Sequence, residues 1–153
     1  MPTVFDRLHE KLTAAAAAFA VTHHAPVFTS EEAAAVRGAP LASGAKALVV
    51  KAGDAFVMLV VPADRKLDSK KARAALGVKA LRFASREEVE QLTSLQPGSI
   101  PPFGSLFGLP TYCDPALGLN ERINFNAGGH AVSVSMLYDE YARVERPNLL
   151  AIT

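Results

Sequence analysis

Apolar and polar positions along this chain switch between a helical and a two-residue period, and the switches mark its elements. Phe5, Leu8 and Leu12 recur at helical spacing and run into the alanines 14–18, which predicts a first helix over Val4–Phe19. VTHHAPVFTS follows as a strand or extended link. Thr29 with Glu32 three residues on forms a capping box, opening a short helix through Arg37 that Gly38 ends. Ala45–Lys51 and Ala55–Val61 are valine-rich runs separated by Gly53-Asp54, the pattern of a β-hairpin. Asp68 caps a helix SKKARAAL that Gly77 stops, and Leu81–Phe83 reads as a short strand. Ser85 with Glu88 caps a further helix, REEVEQLT. Leu106–Tyr112, Arg122–Phe125 and Ala131–Leu137 are predicted strands, VSVSM alternating as a sheet with one wet face does. A last helix covers Tyr138–Val144, before Pro147.

Strand pairs and helices interleave without a βαβα repeat, so the expected class is α+β with a mixed or antiparallel sheet. A length of 153 residues suits one domain, 1–153, with a substantial core. With 50% hydrophobic and 20% charged residues the composition is that of a globular chain and excludes disorder. The single Cys113 excludes an internal disulfide framework and fits a reducing compartment. No apolar run approaches the roughly 20 residues of a membrane span. MPTVFDRLHE lacks the order of a secretory signal, so the expected location is the cytoplasm.

Charge is uneven. Arg65, Lys66, Lys70, Lys71, Arg73, Lys79, Arg82 and Arg86 stand against Asp68 alone in that stretch, although the whole chain is only +1. Such clusters attract polyanions through phosphate contacts and counterion release, and they are equally the pattern of a solvated helix face.

The usual catalytic signatures are missing. There is no HExxH pair or zinc-spaced Cys/His cluster around His9, His23, His24 and His130, no GxSxG elbow, and no GxxxxGK[ST] or GxGxxG loop. Cys113 and His130 are a nucleophile and base only if folding joins them, and a buried free thiol is the commoner state. Three features remain. PGSIPPFG (Pro97–Gly104) is a loop shaped by its main chain, since proline fixes φ while glycine permits positive φ and close approach. Lys46 opens an otherwise apolar strand, either snorkelling to the sheet edge or offering an ammonium at a pocket mouth. NAGG (Asn126–Gly129) precedes the last long strand.

Taken in order, TSEEAAAVRG (Thr29–Gly38), GAKALVVK (Gly44–Lys51), PGSIPPFG, LPTYCD (Leu109–Asp114) and INFNAGG (Ile123–Gly129) resemble the YbaK/prolyl-tRNA-synthetase-associated editing family, the INS-like aminoacyl-tRNA deacylases. The resemblance runs from about His23 to Val144. It implies a mixed, largely antiparallel, barrel-like sheet flanked by helices, with a pocket for the aminoacyl end of a mischarged tRNA. It also implies a trans-acting hydrolase without metal or organic cofactor. The substrate expected is tRNA for proline carrying a small wrong amino acid, with alanine the first guess. Lys46 matches the family's hallmark polar pocket residue. The loop matching Gly98–Pro102 closes around the aminoacyl group and terminal adenosine, and Asn126–Gly128 matches the strip that faces it.

The candidate catalytic residues are therefore Lys46, Gly98 and Gly128. Candidate substrate contacts are Ser99, Ile100, Pro101, Pro102 and Phe103 on the loop, and Asn126, Ala127, Gly129 and His130 on the strip. His130 stands where many relatives have a small residue. An aminoacyl ester is already activated, so a positioned water and backbone donors to the oxyanion suffice for hydrolysis. From charge alone, Lys66, Lys70, Lys71 and Arg73 are the candidate landing surface for the acceptor stem. The partner is mischarged tRNA, with a synthetase as a second candidate and neither DNA nor a membrane implied. The rival functions are a non-catalytic tRNA- or synthetase-binding module and a hydrolase of a small aminoacyl ester.

Overall fold

Two sheets carry this fold, which the computed structural model describes over residues 2–153. Among these residues the helices are α1 (Val4–Ala14), α2 (Ser30–Arg37), α3 (Ser69–Leu76), α4 (Arg86–Thr93) and α5 (Tyr138–Glu145). The strands are β1 (Phe19–His23), β2 (Ala45–Ala52), β3 (Ala55–Pro62), β4 (Leu81–Phe83), β5 (Thr111–Cys113), β6 (Arg122–Asn126), β7 (Val132–Leu137) and β8 (Asn148–Leu149). One sheet has the order β1-β7-β6 and is antiparallel throughout. The other has the order β4-β2-β3-β5-β8, antiparallel from β4 to β3 and parallel from β3 to β8. A parallel bridge between Gly44 and Asn124 joins them. The α+β class and mixed sheet are as expected, but the sheets stay open and do not close into a barrel.

β3 reads AFVMLVVP because it is buried on both faces, as a continuous apolar run requires. Met58 and Val60 pack into a core with Leu8, Leu12, Phe103, Phe125 and Tyr141. Val57, Leu59 and Val61 face a second cluster with Val50, Ala72 and Ile152. Helix starts follow their caps: the Thr29/Glu32 and Ser85/Glu88 boxes are formed, and the Asp68 carboxylate accepts from Lys71 N–H. Gly38 and Gly77 end α2 and α3 in the left-handed conformation.

Two elements differ from expectation. α1 stops at Ala14, and Ala16 turns the chain at φ +54° so that Phe19 enters β1 and pairs with Met136. Sheet pairing there outweighs the helix propensity of the alanine run. Within Leu106–Tyr112, Leu106 and Phe107 belong to a 3-10 turn, Gly104–Phe107, and the strand begins only at Thr111. The Glu145 carboxylate explains this, accepting from Ser105 N–H, Ser105 Oγ and Thr111 Oγ1 and so pinning the turn to the end of α5. The strand β8, just after Pro147, had no signal in the local pattern.

The C-terminal segment is held by Asp114, which is 4% exposed. Its carboxylate accepts from the N–H groups of Ala116 (2.8 Å), Ile152 (2.9 Å) and Thr153 (3.0 Å), and from Thr153 Oγ1 (2.9 Å). Burial alone would raise this carboxyl, but the hydrogen bonds hold it below the ordinary aspartate value. Asp114→Asn is expected to lower the unfolding free energy by about 2 kcal/mol, measured by urea denaturation at neutral pH. A depressed folded pKa contributes stability above the unfolded value that is lost as pH falls through the folded one. The wild-type advantage over the variant should therefore shrink below about pH 4.

Candidate active site

A cleft of about 1050 Å³ opens between α2, the N-terminal half of β2 and the loop that follows α4. Its floor is an unfinished sheet edge. Ala63 N–H donates to Gly44 C=O, so by antiparallel alternation Lys46 and Leu48 also direct their main chains toward β3. Ala47 and Val49 then present theirs to the opposite edge. Val49 C=O meets Ala84 N–H there at 2.9 Å, but β4 pairs only with Val50–Ala52. The N–H and C=O of Ala47 are left facing the cleft. Lys46, at the start of this stretch, is exposed and has no carboxylate partner among the described residues.

The second wall is the Pro-Gly loop, shaped by two backbone positions that only glycine occupies comfortably. Gly98 has φ +89° and Gly128 φ +96°. Gly128 N–H donates to Ser99 C=O at 2.9 Å, and Asn126 Nδ2 donates to Gly98 C=O at 2.7 Å. The Ser99–Ile100 peptide is trans, so fixing Ser99 C=O toward Gly128 turns Ile100 N–H the opposite way. The N–H groups of Gly98 and Ile100 have no acceptor among the described residues.

A polar relay sets this arrangement from behind. Arg37, at the end of α2, donates from Nη2 to Asn126 Oδ1 (2.9 Å) and from Nε to Ser133 Oγ (2.9 Å). Ser133 Oγ also lies 2.8 Å from His24 Nε2. His24 Nδ1 faces Ala25 C=O, which can only accept, so Nδ1 carries a proton. Burial of the Arg37 guanidinium lowers its pKa from the usual arginine value. At the rim Glu32 accepts from both Phe28 and Thr29 N–H, holding its carboxyl below the usual range and fixing Phe28. Phe28 is 73% exposed and lies 4.8 Å, centroid to centroid, from the ring of His130. His130 Nδ1 is buried and has no partner among the described residues.

The structure divides the candidates named from sequence. Lys46, Gly98, Ile100, Asn126 and His130 come from three segments distant in sequence and line one cleft. Ser99, Pro101, Pro102, Phe103 and Ala127 are buried behind the wall, Phe103 packing edge-to-face with Phe125 and Tyr141 in the core. Gly129 is half-buried off the cleft lining. Of the nine expected substrate contacts, these six therefore do not line the cleft. Gly128 is outside the cleft lining as well, and its N–H is committed to Ser99 C=O. Lys66 is on the cleft rim, whereas Lys70, Lys71 and Arg73 sit on α3 away from it, with Lys71 Nζ bonded to Thr153 C=O. Cys113 is fully buried, and burial followed by the nearby Asp114 charge pushes its thiol up to about 12, so it is no nucleophile. No group of three or more His, Cys, Asp or Glu side chains among the described residues is placed to hold a metal ion. Arg37 and Phe28 were not foreseen, since nothing local shows that the ends of α2 face β6 and His130.

Comparison with known proteins places this architecture. The family model for the aminoacyl-tRNA editing domain matches residues 24–144. The chain belongs to that family, and the enzyme class that goes with it is aminoacyl-tRNA deacylase. It is 34% identical over 150 residues to the multifunctional Ser/Thr-tRNA deacylase ProXp-y of Escherichia coli (strain K12), covering 95% of this chain and 90% of that protein. It is 38% identical over 109 residues to the proline–tRNA ligase of Shouchella clausii, covering 69% of this chain but only 19% of the ligase. A crystal structure described as a candidate trans-editing enzyme for prolyl-tRNA synthetase shares the fold, with a TM-score of 0.88 at 24% identity over 100% of this chain and 98% of that one.

Asn126→Ala removes the donor to Gly98 C=O and the acceptor of Arg37. Losing a hydrogen bond worth about 1 kcal/mol should loosen the loop and speed amide exchange several-fold at Gly128, whose N–H is bonded to Ser99 C=O, with the global unfolding midpoint moving much less.

Proposed function

We propose that this protein is a cytoplasmic, trans-acting editing enzyme that hydrolyses a small wrong amino acid from tRNA, with alanine on tRNA for proline as the leading substrate. One observation carries the reading: Lys46, Gly98, Ile100, Asn126 and His130 meet in a single cleft, where the main-chain N–H groups of Gly98 and Ile100 are unpaired. A volume of about 1050 Å³ accepts a terminal nucleotide together with its acyl group, small-molecule sites spanning about 300–1,000 Å³.

In this reading a water attacks the ester carbonyl, and the N–H groups of Gly98 and Ile100 receive the developing oxyanion. The ester C–O bond then breaks, the ribose oxygen takes a proton, and the free amino acid leaves. Ala47 C=O on the open edge of β2 accepts from the substrate's ammonium group. Lys46 adds positive charge beside the ribose or the reacting carbonyl, and His130 Nδ1 is a further contact awaiting a partner. The backbone supplies the geometry, so no side-chain nucleophile is needed. The lysines and Arg73 between positions 66 and 73 extend the surface toward the acceptor stem, recognised through its phosphates.

The Escherichia coli relative's name favours a second reading of specificity, in which serine or threonine is removed. A methylene or hydroxyl discriminates by only about 1–3 kcal/mol in an apolar pocket, so the two readings are separated by experiment. The test is a deacylation time course on tRNAs charged with alanine, serine, cysteine, threonine and proline. Rapid loss of one wrong amino acid is expected, reduced at least about 100-fold (~2.7 kcal/mol) in Lys46→Ala with the fold intact. No hydrolysis by the folded wild type would favour the binding module, and full activity in the variant would remove Lys46 from the site. Raising salt should steeply weaken turnover of tRNA, as counterion release requires, whereas a small-ester hydrolase would be indifferent.

A further inference from the structure

We propose that Arg37 is an anion-recognition residue of the cleft, holding the phosphate on the 5′ side of the substrate's terminal nucleoside. The identity of the ligand rests on the deacylase reading above, while the anion site rests on the geometry. Arg37 is a half-buried guanidinium lining the cleft, and its two side-chain bonds go to the neutral acceptors Ser133 Oγ and Asn126 Oδ1. The ion pairs found among the described residues are Arg82–Glu88 and Arg143–Glu140, so no carboxylate lies within salt-bridge reach of it. A cation withdrawn from water without a counter-charge is costly, and neutral acceptors offset that cost only in part.

The orientation of the fork adds the second element. Nε and Nη2 are held against β7 and β6, which fixes the guanidinium plane and leaves Nη1 free. Nη1 lies beside Gly44, 3.9 Å from where a Cβ would stand, two residues before Lys46. The open end of Arg37 therefore faces the start of the strand that carries Lys46, another unpaired cation of the cleft. A planar fork with one free edge suits a phosphate oxygen pair better than a lysine does.

The rest of the lining agrees in sign. Arg37, Lys46, Arg65, Lys66 and Arg86 line the cleft against only Glu31 and Asp64. That field attracts a polyanion and repels the ammonium group of an aminoacyl ester, which must then bind away from Arg37, where Ala47 C=O offers an acceptor. On an aminoacylated tRNA end, the nearest anion to the ester is the phosphate 5′ to the terminal ribose.

The test compares 5′-AMP with adenosine by calorimetric titration of wild type, Arg37→Gln and Arg37→Lys. Wild type should bind 5′-AMP at least about tenfold more tightly than adenosine. Arg37→Gln should bring the two ligands together, and Arg37→Lys should keep part of the difference. A purely structural pin predicts another result: both variants weaken both ligands alike, and the ratio is unchanged. An unchanged ratio overturns the proposal, as does a wild type in which phosphate adds nothing, whether both ligands bind equally or neither binds. If the charged-tRNA panel is hydrolysed but phosphate adds nothing, Arg37 alone is misassigned. If phosphate selectivity is lost in Arg37→Gln while no charged tRNA is hydrolysed, the anion site stands and the deacylase reading falls.

Discussion

The unequal pairing of the two edges of β2 is the constraint on which the cleft depends. One edge is hydrogen-bonded to β3 along its full length, and the other is covered by β4 only over Val50–Ala52. A strand edge left open exposes main-chain groups that need partners, and proteins ordinarily cover or distort such edges. Here the open stretch is walled by α2 on one side and the Pro-Gly loop on the other, so it becomes the floor of a cleft instead of a site of aggregation. β3, buried on both faces, keeps β2 in register, and that register decides that Ala47 rather than Lys46 turns its backbone into the opening.

The cleft accordingly offers peptide groups alongside its cationic side chains, and polar side chains set the orientation of those peptides. Gly128 N–H and Asn126 Nδ2 each fix one carbonyl of the loop, and Arg37 fixes Asn126. This chain of contacts begins on a helix and ends on a loop about sixty residues away in sequence, so small losses anywhere along it relax the same peptide planes. In the proposed reaction, a site preorganised in this way avoids reorganisation as charge develops, which is where backbone donors contribute most. The same relay leaves one desolvated cation without an acid partner, and it is at that point that a ligand's own charge has something to complete.

Much of the fold was legible in local sequence. The Thr29/Glu32 and Ser85/Glu88 boxes, the Asp68 cap, the glycines that end α2 and α3, and the Gly53-Asp54 hairpin all act within a few residues, so their spacing suffices to read them. The site was legible in part and through resemblance: the order of the GAKALVVK, PGSIPPFG and NAGG segments brought Lys46, Gly98 and Asn126 to attention together. Where local reading failed, a distant partner had intervened. The alanines after α1 leave the helix because Phe19 pairs with Met136, and Leu106–Phe107 turn because Glu145 reaches back to cap them.

By itself, then, the sequence determined the elements with short-range causes and the family to which the chain belongs. Capping, turn formation and hydrophobic periodicity are settled between neighbours. Only the tertiary structure decided which members of the glycine-rich segments face the cleft and which, like Ser99, Phe103 and Ala127, stand behind it. It alone decided that Gly128 spends its N–H on Ser99, and that Arg37 and Phe28 line the cleft. Peptide orientation, desolvation and the open edge of a strand arise from contacts between segments far apart in the chain, and no local pattern of residues encodes them.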